Sequence, residues 1–142
     1  MSKGCLVEQV EKHKLTGSFY FEGWKSIGEI PKYTHIADCL IACLSKSELQ
    51  DYYIPAKVMS YFAAGRPLIL AMDGEVQEIV SNAECGFVCN AGDVDMLVEN
   101  IEKLLRMDKE ARIKLGQNAL QYHREHFDRD KNIDRILDFI MR

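Results

Sequence analysis

Residues 51–78, DYYIPAKVMSYFAAGRPLILAMDGEVQE, decide the fold. Pro55 suits the first turn of a helix, where its missing N–H costs nothing. Val58, Met59, Tyr61 and Phe62 supply that helix with an apolar face. Ala63 and Ala64 allow close packing, and Gly65 can end the helix with φ > 0. Pro67–Met72 then reads as a strand buried on both faces. Gly74 breaks it, Glu75–Asn82 predicts a short helix with Val76, Ile79 and Val80 inward, and Gly86–Cys89 is a further buried strand. Strand and helix alternating over short turns mean parallel strands joined by right-handed crossovers.

The flanks extend this pattern. On the amino-terminal side, residues 5–14 carry Leu6, Val7 and Val10 on one side of a short amphipathic helix that ends before Gly17. Ser18–Glu22, rich in aromatics, predicts a strand, and Gly23-Trp24-Lys25-Ser26 a loop. Gly28–His35 predicts a helical turn. Asp38–Leu44 is a continuous apolar run with the length of a strand covered on both faces, followed by polar loop over Lys46–Tyr53. On the carboxyl-terminal side, Asp93 caps a helix with Val94, Leu97, Val98, Ile101, Leu104 and Leu105 as its apolar stripe. Asp108 caps the next, with Ala111, Leu115, Ala119 and Tyr122 inward, and a last helix spans Arg129 to Ile140. No repeat or linker divides the chain, so residues 1–142 read as one domain.

Composition narrows the function classes. The chain has 142 residues, enough to bury a sizeable core, and a net charge of −4 with no basic run, which gives nucleic acid no footing. No apolar span is long enough for a membrane, and residues 1–15 are too charged for a signal peptide. The cytoplasm is the expected location. Five cysteines, an odd number, argue against a disulfide framework. Cys39 and Cys43, at ~3.3 Å per residue along a strand, stand too far apart to share a zinc ion. His123 and His126 lie one helical turn apart with no partner at zinc spacing, so neither a metal nor a cofactor is expected. There is no P-loop and no G-x-G-x-x-G, and Asp73 lacks the acidic partners of a receiver domain.

Ile54-Pro55-Ala56-Lys57, Tyr61-x-Ala63-Ala64-Gly65-Arg66-Pro67-Leu68-Ile69 and Asp73-Gly74-Glu75 resemble the donor-binding core of the group 1 retaining glycosyltransferases of the GT-B class. The resemblance continues in register through Phe21-x-Gly23, Ala37-Asp38, Gly86-Phe87-Val88, Gly92-Asp93, Gly116-x-Asn118-Ala119 and Phe127-Asp128. It implies an α/β fold: an incomplete Rossmann-like domain, the GT-B carboxyl-terminal half, with a three-layer parallel sheet and carboxyl-terminal helices. It also implies a partner, a UDP- or GDP-linked nucleotide-diphospho-sugar, and enzymes of bacterial surface-polysaccharide synthesis as relatives.

An open α/β sheet binds ligands outside the carboxyl ends of its strands. The loop Tyr53–Ala56 leads into a helix N-terminus whose N–H groups suit a diphosphate, with Lys57 adding a point charge. The Gly23-Trp24-Lys25 loop is placed to hold the base. The expected donor-binding residues are Trp24, Lys25, Tyr52, Tyr53, Ile54, Pro55, Ala56, Lys57 and Ser60, and no catalytic residue is expected within the chain. The sequence departs from the family at two positions that usually carry glutamates, where Tyr52 and Ser60 stand. The donor grip at the ribose and sugar is thereby weakened.

The resemblance also implies an amino-terminal truncation. The acceptor domain and the first two, central strands of the donor domain are missing. In a 3-2-1-4-5-6 strand order, Ser18–Glu22 would be strand three and Asp38–Leu44 strand four, with a gap between them. An unpaired apolar edge invites another copy of the chain, so a homo-oligomer or a strand rearrangement is expected. The alternative function is a degenerate, non-catalytic module for oligomerisation or for docking to a partner that carries the acceptor domain.

Overall fold

In the computed structural model, three parallel strands form the sheet, in the order β1-β2-β3. They are β1 (Leu40–Cys43), β2 (Leu68–Ala71) and β3 (Gly86–Cys89). The helices are α1 (Lys3–Lys12), α2 (Ile30–Ile36), α3 (Ala56–Ala64), α4 (Val76–Asn82), α5 (Val94–Arg106), α6 (Lys109–Tyr122) and α7 (Arg129–Ile140), with a π-helical turn at His123–Phe127. The structure describes residues 3–46 and 53–141. They divide into two units, Met1–Ile30 and Pro31–Arg142, and the sheet belongs to the second. No described helix is long and apolar enough to cross a membrane.

The decisive stretch folds as its residues dictate. α3 follows Pro55 and ends at Gly65, whose φ of 64° is the left-handed conformation that glycine adopts without strain. β2 is buried at all four positions, as the central strand of a sheet covered on both faces. Leu68 pairs with Leu40 on one side and Gly86 on the other. At Gly86 a Cβ would meet the Leu68 carbonyl oxygen at 1.9 Å, so only glycine permits this approach of strands. Val58 and Phe62 of α3 and Val76 and Val80 of α4 bury themselves with Leu68, Leu70 and Met72 in one core. The Phe62 ring lies 5.3 Å from that of Tyr122 and 5.6 Å from that of Phe127, which ties α3 to the end of α6.

Caps and polar anchors follow simple rules. Asp93 accepts a hydrogen bond from the Met96 N–H, Asp108 from the Ala111 N–H, and Asp128 from the Lys131 N–H. The one buried polar side chain among the described residues, Asn100, donates to the Val88 carbonyl at 3.0 Å. That bond satisfies the amide and docks α5 on β3.

Three expectations need correction. Ser18–Glu22 forms no strand: it is turn and irregular backbone, with Phe19, Tyr20 and Phe21 exposed. Aromatic content favours a strand only where a partner takes up the backbone N–H and C=O groups, and the described sheet offers this segment none. Asp38–Leu44 contains β1, yet that strand alternates between buried Leu40 and Ala42 and exposed Ile41 and Cys43. Among the described residues it is an edge strand paired on one side only, with Ile41 and Cys43 exposed. On α5 the apolar stripe is wider than the surface that covers it. Leu104 is buried, Leu97 and Ile101 are half-buried, and Val94, Val98 and Leu105 are exposed. α7 spans the expected residues with Ile133, Ile136, Leu137 and Ile140 exposed.

Candidate functional site

The carboxyl ends of the three strands define one edge of the sheet. Chain direction and the parallel pairing bring the N-termini of the following helices to that edge. β1 ends at Cys43, and the described chain resumes at Tyr53 before α3. Ile54 and Leu44 both pack against the buried core, which anchors the segment leading into α3 on the sheet.

α3 begins without a side-chain cap. Pro55, at φ −59° and ψ 130°, occupies the N-cap position and can offer none. Helix geometry leaves the first-turn N–H groups without intrahelical acceptors, and a neighbouring anion is the partner they suit. The Val58 N–H closes a turn on the Pro55 carbonyl at 2.8 Å, so Ala56 and Lys57 head the helix. Both are exposed, as is Tyr53, while Ile54 and Pro55 are half-buried. Ser60 lies one turn further along the same helix, exposed, its hydroxyl donating back to the Ala56 carbonyl at 3.5 Å. Such a long bond leaves the hydroxyl able to exchange to a ligand oxygen. Tyr53, Ala56, Lys57 and Ser60 are thus the exposed positions around this helix entrance, Val58 between them being buried, and Tyr52 lies outside the described residues.

Trp24 and Lys25 belong to the first unit. Trp24 is 89% exposed, which leaves its indole face open for stacking. The Lys25 ammonium pairs with the Glu22 carboxylate at 3.0 Å. In the same loop Glu29 accepts from both the backbone N–H and the hydroxyl of Ser26, and these bonds lower its pKa.

Reading the sequence missed the groups that hold the other two strand ends together. Gln77 of α4 donates from Nε2 to the Met72 carbonyl at 2.8 Å and the Asn90 side-chain oxygen at 3.0 Å, with the Cys89 carbonyl at 3.3 Å. Asp73, at the end of β2, accepts from the Ala91 N–H at 3.0 Å. These bonds join the β2–α4 and β3–α5 turns into one braced rim. Most of their partners are backbone groups, so no spacing in the sequence could have announced them. Cys89, buried at this rim, has its thiol pKa raised by desolvation and then by the charges of Asp93 and Cys43, which keeps it a neutral packing group. Among the described residues no group of His, Cys, Asp and Glu is arranged to hold a metal ion.

The geometry therefore offers an uncapped helix N-terminus beside a lysine, a hydroxyl one turn on, and a rigid rim next to it. Comparison with known structures finds this fold in the Anabaena protein HepE. HepE crystallised with UDP and glucose superimposes with a TM-score of 0.80 at 19% identity, covering 96% of this chain and 35% of HepE. The complexes with UDP-glucose and with UDP match at TM-scores of 0.79 and 0.75. The chain spans about a third of HepE's length. No curated protein sequence matches it. The family described as "Glycosyl transferases group 1" matches residues 2–122, well over half of the chain, and the chain belongs to that family.

Proposed function

We propose that this chain is the donor-binding part of a glycosyltransferase, gripping a nucleotide-diphospho-sugar at the carboxyl edge of its sheet. The observation that carries the reading is the uncapped N-terminus of α3 with Lys57 exposed in its first turn. Helix N–H groups and an ammonium suit the two charges of a diphosphate. HepE, which shares the fold, holds UDP and UDP-glucose in its crystal structures, and this favours a UDP-linked donor over a GDP-linked one. Transfer would go to an acceptor held by a domain or subunit outside this chain, in cytoplasmic synthesis of a bacterial surface polysaccharide. Stabilising the departing diphosphate is the chemistry such a site can supply. Tyr53 and the Ile54–Ala56 backbone would line the phosphates, and Ser60 would meet a ribose hydroxyl. The isolated chain, without an acceptor site, would bind donor and not transfer it.

The test is a calorimetric and thermal-shift titration with UDP-glucose and a GDP-linked hexose. UDP-glucose should stabilise the wild-type chain, and Lys57→Ala should weaken binding about tenfold or more, as loss of a charge-assisted hydrogen bond does. No stabilisation by either donor would overturn the reading.

A second reading, a non-catalytic module for oligomerisation or docking, draws on the bare side of β1. Ile41 is 44% exposed on an edge strand that lacks a second neighbour among the described residues. In either reading we propose that the chain associates with a second copy along this edge.

A further inference from the structure

One cavity in the second unit lies away from the carboxyl edge. It opens at the amino ends of the strands, where Asp38 precedes β1 and Arg66 precedes β2, and has a volume of about 280 Å³. Its opposite wall is α6, which contributes Lys109, Arg112, Ile113 and Leu120. Gly65 and Gly116 also line it, where the backbones of the β2 approach and α6 come into close contact.

The charges around it are unbalanced. Arg66, Lys109 and Arg112 face a single carboxylate, that of Asp38. Among the described residues neither Lys109 nor Arg112 forms an ion pair, whereas Lys103 and Arg106 on α5 each meet a glutamate one turn back, at 2.9 and 2.7 Å. The placement is also against the helix field: Lys109 and Arg112 are in the first turn of α6, where the macrodipole favours anions and disfavours cations. Asp108 and Glu110 belong to the same turn and offset part of this charge, but neither lines the cavity. Arg66 is held in place as well, since its Nη2 donates to the His35 carbonyl. A fixed guanidinium loses less freedom on binding a ligand.

We propose that this cavity binds a soluble phosphate monoester of a small hydroxylated compound, at a site separate from the donor edge. The phosphate oxygens would take the forked donors of Arg66 and Arg112 and the ammonium of Lys109, a donor set that matches a dianion in charge and geometry. The carboxylate of Asp38 accepts from a hydroxyl of the ester group, and Ile113 and Leu120 cover its carbon face. The volume, just below the ~300–1,000 Å³ typical of ligand pockets, limits the ester group to a compact one.

The test is isothermal titration with inorganic phosphate and with glycerol phosphate at constant ionic strength. Saturable binding is expected, tighter for glycerol phosphate than for inorganic phosphate. The double variant Lys109→Gln/Arg112→Gln should lose about tenfold or more in affinity. Ile113→Glu, which leaves all three cations in place but puts a negative charge in the mouth, should lose a similar factor. Lys57→Ala should bind glycerol phosphate as the wild type does, so failure here and failure of donor binding are read separately. Phosphatidylcholine vesicles doped with phosphatidate separate a lipid headgroup from a free ester. Vesicle binding displaced by glycerol phosphate agrees with the proposal, and vesicle binding that resists displacement overturns it. Equal affinity in the wild type and the double variant, or no saturable binding at all, also overturns it.

Discussion

At the scale of single residues, chemistry here follows from what each side chain can reach. Asp93 and Asp108 were legible as caps because a side-chain oxygen at an N-cap meets N–H groups fixed by helix geometry. Gln77 was not legible, because what it joins is set by the turn conformations. The same dependence on surroundings governs the thiols. Cys85 is fully buried, its Sγ donating to the Val80 carbonyl at 3.7 Å, and burial pushes its pKa from the usual 9.0 up to about 12. Cys39 rises to about 11, through burial and then the charge of Asp38. Folded pKa values above the unfolded ones mean that the fold prefers the protonated thiol. That contribution to stability is complete below pH 9 and is lost as pH rises toward 11 and 12. The melting temperature of the wild type should therefore fall steeply above pH 9, and that of Cys85→Ala, which lacks the buried titrating group, less steeply. Circular-dichroism melts from pH 8 upward check this. Parallel alkaline curves for the two proteins would refute it.

At the scale of elements, whatever owed its form to local pattern and a buried neighbour could be read in advance. β2, β3, α3 and α4 appear where residues 51–78 and the glycines after them put them. Ser18–Glu22 could not be read correctly, because β-propensity states only that a segment fits a pleated surface, and no described strand supplies one here. The α5 stripe failed in the other direction: its period was right, but the covering surface is narrower than the stripe. The contact between α3 and α6 shows how one atom decides an element's position. A Cβ on Gly116 would stand 2.3 Å from the Gly65 carbonyl oxygen, and Gly65 at φ +64° has a conformation that side chains rarely adopt. Backbone meets backbone here, so no side-chain rotation relieves the clash. Gly116→Ala should lower the urea midpoint by the equivalent of about 1–3 kcal/mol, the usual cost of overpacking. A midpoint unchanged from wild type would mean that the α3–α6 contact yields without cost.

At the scale of the whole chain, what the sequence could not state is which edges of the sheet are covered. Leu40 and Leu44 donate their N–H groups to Pro67 and Ala71, on the β2 side. Alternation along a strand turns the N–H and C=O groups of Ile41 and Cys43 to the other side, where no described strand meets them. Four residues of this kind form a short edge, and edges are usually blunted by lysine, proline or a covering element. β1 has neither lysine nor proline, and Ile41 adds an exposed apolar side chain. A second copy of the chain offers the same edge, so the two can pair through a twofold axis with antiparallel strands. The purified chain should then run as a dimer in light scattering at micromolar concentration. Cys43→Pro removes one outward donor without touching the β2 ladder, since proline is tolerated on edge strands. Ile41→Lys puts a charge beside the edge and serves if the proline variant misfolds. Each should shift the mass toward the monomer while the helical circular-dichroism signal stays as in the wild type. A wild type that is already monomeric, or variants that remain dimeric, would rule out pairing through β1.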